Sequence, residues 1–189
     1  MFTPIKMVIN GVSPLLMHNS QLSNPINAIV RQIKPISSKR KKTDADYAEL
    51  ARLEWLGGLY VDNGRVVIPG ENMEATFIAA AKKVRKGPQT KSGLYCDGNF
   101  QLTYTGAKDI TKLYEDDSFV DTRRVCIQRA SIMRTRPRFD AWSLDFTVHY
   151  EDEQLNESEV VEFAEIAGRL IGLCDYRPKF GRFYLESYS

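Results

Sequence analysis

The order of patterned segments predicts an α+β fold: an antiparallel sheet with two packed helices, interrupted by long loop insertions. Three observations predict it. Short segments with alternating apolar residues stand near both ends and in the middle of the chain and read as strands. Two segments repeat apolar residues three and four apart and read as amphipathic helices. The stretches between them are rich in proline, glycine and charge. With 189 residues, 43% of them hydrophobic and 26% charged, the composition is that of a folded protein rather than a disordered one. We expect a single domain over residues 1–189, with insertions at residues 19–65 and 86–99.

Taken in order, Met7-Val8-Ile9-Asn10-Gly11-Val12 alternates as a strand and runs into the irregular apolar segment Ser13-Pro14-Leu15-Leu16-Met17-His18. From residue 19 to 42 the pattern breaks at Pro25 and Pro35 and ends in Lys39-Arg40-Lys41-Lys42, which reads as an exposed, mobile insertion. Thr43 with Asp46 forms a capping-box pattern, so a short helix is expected over residues 44–55, stopped by Gly57-Gly58. Asn63-Gly64 between Leu59-Tyr60-Val61 and Arg65-Val66-Val67-Ile68 is a hairpin signal.

After Ile68-Pro69-Gly70, Met73, Phe77, Ala80, Ala81 and Val84 make one apolar stripe. Glu71 and Glu74 open that helix and Lys82, Lys83 and Arg85 close it, the order a helix dipole prefers. Residues 86–99 carry Gly87-Pro88, Gly93 and Gly98 and read as a second loop insertion. Residues 100–104 alternate as a strand, and Asp109, Glu115, Asp116, Asp117 and Asp121 follow as an acidic stretch. Trp142, Leu144, Phe146, Val148 and Tyr150 alternate with polar residues, a half-buried strand expected to form a hairpin with the segment before Asp140. Asn156 with Glu159 is a second capping-box pattern, opening a helix with stripe Val160, Phe163, Ala167, Leu170 and Ile171. A last strand starts at Phe183.

Three places hold candidate binding chemistry. Between Asp121 and Asp140 stand Arg123, Arg124, Arg129, Arg134, Arg136 and Arg138 with no acid. Arg134, Arg136 and Arg138 share one strand parity, so one face presents guanidiniums for phosphate contact, or an ordinary charged solvent face. Residues 172–183, Gly-Leu-Cys-Asp-Tyr-Arg-Pro-Lys-Phe-Gly-Arg-Phe, connect the last helix to the last strand. Arg177, Lys179 and Arg182 there suit phosphates, and Tyr176 and Phe180 offer faces for base stacking. The plainer reading is a glycine helix cap, a proline-stiffened turn and core aromatics. Lys39, Arg40, Lys41 and Lys42 are either a solvated loop or an arm on a nucleic-acid backbone.

Other chemistries find less support. Cys96, Cys126 and Cys174 are odd in number, widely spaced and accompanied by only His18 and His149, which matches neither a disulfide framework nor a zinc site. Phosphate-binding G-x-x-x-x-G-K-[ST] and nucleophile-elbow motifs are absent from the sequence. His18 and His149 stand in no catalytic pattern, and Asp116, Asp117 and Asp121 read as a solvated acidic run. We therefore expect no catalytic residues, no metal and no cofactor. No apolar run reaches bilayer length, and the start of the chain lacks a signal-peptide pattern, so a cytoplasmic protein is expected. A net charge of +2 leaves the partner to local charge distribution.

The element order strand, insertion, helix, strands, helix, strand is that of a ferredoxin-like or RNA-recognition-like core. The opening strand running into Ser13-Pro14-Leu15-Leu16-Met17-His18, the Val67-Ile68-Pro69-Gly70-Glu71-Asn72-Met73 helix entry and residues 172–183 together resemble the RAMP superfamily. That group includes the repeated backbone subunits of CRISPR effector complexes and solitary phage or prophage relatives. The resemblance implies a sequence-tolerant subunit that binds single-stranded RNA or DNA, RNA favoured, and stacks into a homo-oligomer or with effector subunits, residues 19–65 serving as a thumb. It places Arg177, Lys179 and Arg182 in the strand-gripping loop. The loop is less glycine-dense than in many members and the chain is short for a backbone subunit, so a phage-type interaction module that mimics or inhibits such a subunit is the alternative. An RNA endonuclease is the third reading.

Overall fold

The computed structural model describes residues 1–127 and 130–189. In chain order the elements are β1 (Phe2–Gly11), β2 (Leu15–Leu16), α1 (Ala28–Ser37), α2 (Asp44–Gly58), β3 (Val61–Asp62) and β4 (Arg65–Pro69). They continue with α3 (Gly70–Ala81), α4 (Gly87–Gly93), β5 (Leu94–Tyr95), β6 (Asn99–Tyr104), α5 (Ile110–Tyr114) and β7 (Val120–Ile127). The chain closes with β8 (Ala130–Phe139), β9 (Trp142–Glu151), α6 (Glu157–Ile166) and β10 (Phe183–Tyr188). These fall into two compact units. Unit 1 is Met1–Leu15, Val61–Thr105 and Asp140–Ser189; unit 2 is Leu16–Tyr60 and Gly106–Phe139.

Unit 1 is built on the sheet β10-β1-β9-β6-β4-β3, with β5 added on β9. Its central strands with α3 and α6 read β1, α3, β6, β9, α6, β10. The spatial order β10-β1-β9-β6 is 4-1-3-2, every neighbouring pair antiparallel, which is the ferredoxin-like βαββαβ arrangement. The alternation of β1 and β9 sends Ile5, Met7, Ile9, Leu144, Phe146 and Val148 to one buried face. There they meet Met73 and Phe77 of α3 and Val160 and Phe163 of α6, also buried. Phe77 packs edge-on to Phe146 with centroids 6.2 Å apart. Each such fully buried phenylalanine contributes about 2–3 kcal/mol of apolar burial. The β3–β4 hairpin turns on Asn63 (φ 48°) and Gly64 (φ 74°), the two left-handed residues a tight two-residue hairpin needs. The capping box at Asn156 and Glu159 opens α6 as its spacing predicts.

Unit 2 holds the three-stranded sheet β2-β8-β7. The strands β7 and β8 form an antiparallel hairpin with Asp121 opposite Arg136, Arg123 opposite Arg134 and Arg124 opposite Met133. Helix α2 begins at the Thr43–Asp46 capping box and ends at Gly58, within the Gly57-Gly58 pair expected to stop it and three residues beyond Trp55. It brings Leu53 and Trp55 into a core with Leu113, Phe119 and Phe139. The Trp55 indole N–H donates to the Phe119 carbonyl at 2.8 Å, so this buried polar group is satisfied.

Several expectations change. The segment at residues 19–42 is not a mobile loop, because it contains α1, whose N-cap Asn27 accepts from the Ile29 N–H. Pro35 sits in its last turn, where the loss of one backbone hydrogen bond is outweighed by the half-buried row Ile29, Ile33 and Ile36. Residues 86–99 are not a loop either: Pro88 starts α4, and Leu94 and Tyr95 pair with Tyr150 and His149 of β9. The expected hairpin before Asp140 is not formed by β8 and β9. Those strands belong to different sheets, and alternation alone does not say which neighbour a strand takes. Residues 61–65 lie in the sheet of unit 1, and residues 106–139 are grouped with residues 16–60 in unit 2. Among the described residues no helix is long and apolar enough to cross a membrane.

Candidate nucleic-acid interface

In unit 1 the candidate surface is the connection between α6 and β10. Helix α6 widens over Ala167–Ile171 into a π turn, closed by the Gly172 N–H donating to the Ala167 carbonyl at 2.8 Å. The chain then folds back on itself. The Leu173 N–H donates to the Gly181 carbonyl, and the Gly181 N–H to the Pro14 carbonyl, both at 2.8 Å. The Arg182 N–H donates to the Ser13 hydroxyl at 2.9 Å, and its carbonyl accepts from the Val12 N–H at 2.8 Å. These bonds tie the two ends of the loop to each other and its C-terminal end to the exit of β1. A Cβ at Gly181, where φ is +72°, would lie 2.0 Å from the Leu173 carbonyl oxygen, so only glycine closes this turn.

Inside that frame, Leu173 and Phe180 are buried. Phe180 packs edge-on to Tyr176 at 5.7 Å between centroids, and it anchors the loop rather than offering a free face to a base. Cys174 and Tyr176 both adopt left-handed backbone, φ 62° and 59°, and such conformations in non-glycine residues concentrate at functional loops. The exposed groups are Tyr176, Arg177, Lys179 and Arg182. The Arg177 guanidinium reaches the Thr76 hydroxyl of α3 at 3.4 Å, and the Arg182 Nε donates to the Pro178 carbonyl at 2.8 Å. Lys179 Nζ lies 5.9 Å from the Phe180 ring centroid. None of the three cations is in an ion pair among the described residues, so their charge is open to an anion. The Cys174 thiol beside Asn72 is pushed up to about 12 by burial and is a neutral packing group near pH 7.

The arginine strand in unit 2 is arranged differently. Arg134, Arg136 and Arg138 do share one face of β8, and Arg123 joins them from β7. But acids reach them. Glu54, buried in α2, accepts from the Arg134 guanidinium and, through its second oxygen, from the Thr135 N–H at 2.9 Å. Asp121, also buried, takes a two-pronged hydrogen bond from Arg123 and lies 3.8 Å from Arg138. Arg136 is itself buried. Arg134 thus ties the hairpin to α2, while Arg123 and Arg138 are drawn to Asp121 within the hairpin itself. Arg129 lies outside the described residues.

The four cations at residues 39–42 lie in the connection between α1 and α2. Lys39 pairs with Asp46, and Lys42 Nζ donates to the Lys39 carbonyl at 2.9 Å. Arg40 and Lys41 are exposed. Among the acids, Asp116 caps a short 3-10 turn through Ser118. His149 is half-buried and stacks on Tyr95 with centroids 4.6 Å apart, whereas His18 is exposed.

No motif singles out Glu54, and Asp121 reads from the sequence as one of a solvated acidic run, whereas both are buried acceptors. For Glu54 a signal exists, a carboxylate flanked by Leu53 and Trp55 in a helix, since a buried acid requires a cationic or N–H partner. Thr76 and Ser13, which orient Arg177 and Arg182, carry no comparable mark.

No family model and no curated protein matches the chain. Solved structures do: forty chains match, among them one described as the cryo-EM structure of the type III-B Cmr-beta bound to cognate target RNA. The TM-score is 0.54 at 10% sequence identity, over 100% of this chain and 60% of that one. This chain thus spans about three fifths of the length of that relative, and what the two share is the fold.

Proposed function

We propose that this protein is a non-catalytic subunit that binds single-stranded RNA, with little regard to sequence, through the loop at residues 172–183. One observation carries the reading: Arg177, Lys179 and Arg182 are exposed and, among the described residues, in no ion pair, on a loop whose ends are fixed by backbone hydrogen bonds. Pinned cations of this kind grip a phosphate backbone at low entropic cost, and Tyr176 stands among them to stack on a base. The fold shared with a chain of an RNA-bound type III-B complex supports the choice of RNA, as does the resemblance of the helix entry and this loop to RAMP proteins. Stacking with copies of itself or with effector subunits belongs to the same proposal. The reading omits catalysis because residues 172–183 contain no histidine and the ring of His149 is stacked on Tyr95.

Fluorescence anisotropy with a 20-nucleotide RNA across a salt series tests it. Replacing Arg177, Lys179 and Arg182 together by glutamine is expected to lower the slope of log K against log salt by about 2, roughly 0.7 for each phosphate no longer neutralised. An unchanged slope sinks the loop's role. The labelled RNA should remain intact with or without EDTA, and the mass of the complex should rise in steps of one chain as the RNA lengthens.

A further inference from the structure

We propose that unit 2 carries a separate pocket that accepts a nucleobase of the bound strand. This rests on the reading that the chain binds single-stranded nucleic acid, and it adds a site on different elements. A cavity of about 690 Å³ lies against α2 and the β7–β8 hairpin, within the size range of small-ligand sites and large enough for one nucleotide. Its apolar lining comes from Leu50 and Ala51 of α2 and Ile132 and Met133 of β8, with Tyr47 as the aromatic member. Tyr47 and Met133 are each 58% exposed. The core of unit 2 does not use them, and two large apolar side chains left open at one cavity form a recognition surface.

The polar groups select the ligand class. Lys42 lines the cavity from the connection before α2. On the hairpin side, Arg124 stands directly across from Met133 and so on the same face, and its Nε donates at 2.9 Å to the hydroxyl of Ser131, another lining residue. An apolar floor with a tyrosine ring and a thioether suits a flat aromatic group. Two cations stand at this cavity, Lys42 in its lining and Arg124 through its bond to Ser131, and they suit anionic groups beside that ring. A base with its two flanking phosphates has this pattern; an apolar peptide side chain satisfies the floor and leaves both cations unused. The Ser37 and Thr122 hydroxyls are engaged with the Lys34 carbonyl and the Thr135 hydroxyl, and the Ser131 hydroxyl, which accepts from Arg124, has a proton that any base edge can accept, so the pocket takes bases without strict choice among them.

The experiment uses the full chain with 13C-labelled methionine methyls. Met7, Met17 and Met73 are fully buried, and Met133→Leu assigns the resonance of interest. The probes are a ten-residue oligouridylate and the same strand without bases. The proposal expects the Met133 methyl to shift with oligouridylate and not with the abasic strand. It expects Tyr47→Ala to weaken oligouridylate binding at least about fivefold, the low end for a base–aromatic stack, while leaving abasic binding unchanged. Met133→Ala, made alongside, should act in the same direction. Oligouridylate binding with an unmoved Met133 and an indifferent Tyr47→Ala overturns the pocket and leaves the proposed function standing. Equal Met133 shifts from both strands reduce the site to a phosphate contact and overturn the base pocket. Failure of the unaltered chain to bind either strand overturns both readings.

Discussion

The loop at residues 172–183 and the β7–β8 hairpin look alike as strings of cations, and the fold treats them in opposite ways. In the loop, backbone hydrogen bonds and the buried side chains of Leu173 and Phe180 provide the structure, which leaves Arg177, Lys179 and Arg182 to solvent. In the hairpin, the cations are themselves part of the structure: Arg134 holds Glu54, and Arg123 and Arg138 share Asp121. The number of cations therefore says little about the charge a surface can offer. What decides is whether a buried acid arrives from elsewhere in the chain.

The most severe test of this contrast removes the loop's frame without touching its charge. Gly181→Ala should cost about 4 kcal/mol, about 1–2 from left-handed backbone and the rest from displacing the Leu173 carbonyl, read as a fall in the urea midpoint. The binding slope should fall with it as the cations lose their positions. Next is Glu54→Ala, which strips Arg134 and the Thr135 N–H of their acceptor. Because Arg134 keeps access to water, the expected loss is about 3 kcal/mol, the low end for breaking a buried pair, with the salt slope of RNA binding unchanged below the unfolding transition. A stable Glu54→Ala protein would mean that the hairpin arginines are as free as those of the loop.

Milder substitutions refine the picture. Arg138→Gln should cost about 1 kcal/mol and change the salt slope less than any one loop substitution, since its partner Asp121 keeps Arg123. Thr43→Ala should cost about 1 kcal/mol through the missing N-cap of α2. The Asp46 carboxyl of that cap is held down to about 2 by its hydrogen bond from Lys39, then by the Thr43 backbone. Its folded value lies below the usual 3.8, so its contribution is present above about pH 4 and fades as pH falls through 2. A carboxyl titration by NMR that places Asp46 near 4 contradicts the Lys39 pairing.

Elements that carry their own signal are legible in the chain. Capping boxes at Thr43 and Asn156, the Asn63-Gly64 turn and the apolar stripes of α3 and α6 depend on residues within a few positions of one another. The elements that mislead depend on distant partners. Helix α1 is masked because Pro25 and Pro35 outweigh its short apolar row, and α4 is masked by glycines. Strand β8 is recognisable as a strand but not its neighbour, because alternation specifies a buried face and not a partner. The site follows the same division: the loop cations can be named from the chain, while the burial of Phe180 and the neutralisation of Arg134 cannot.

Local sequence is enough for the α+β class, the ferredoxin-like order of core elements and the positions of the cation-rich segments, because turn chemistry, capping and periodicity act over a few residues. Long-range packing was needed to make residues 16–60 and 106–139 one unit, and to let Glu54, 80 residues from Arg134 along the chain, take that arginine's charge. It also ties the C-terminal end of the loop to Ser13 and Pro14. The physical reason is range. Buried charge must be matched wherever in the chain the matching group stands, and only folding brings such groups within a few ångströms.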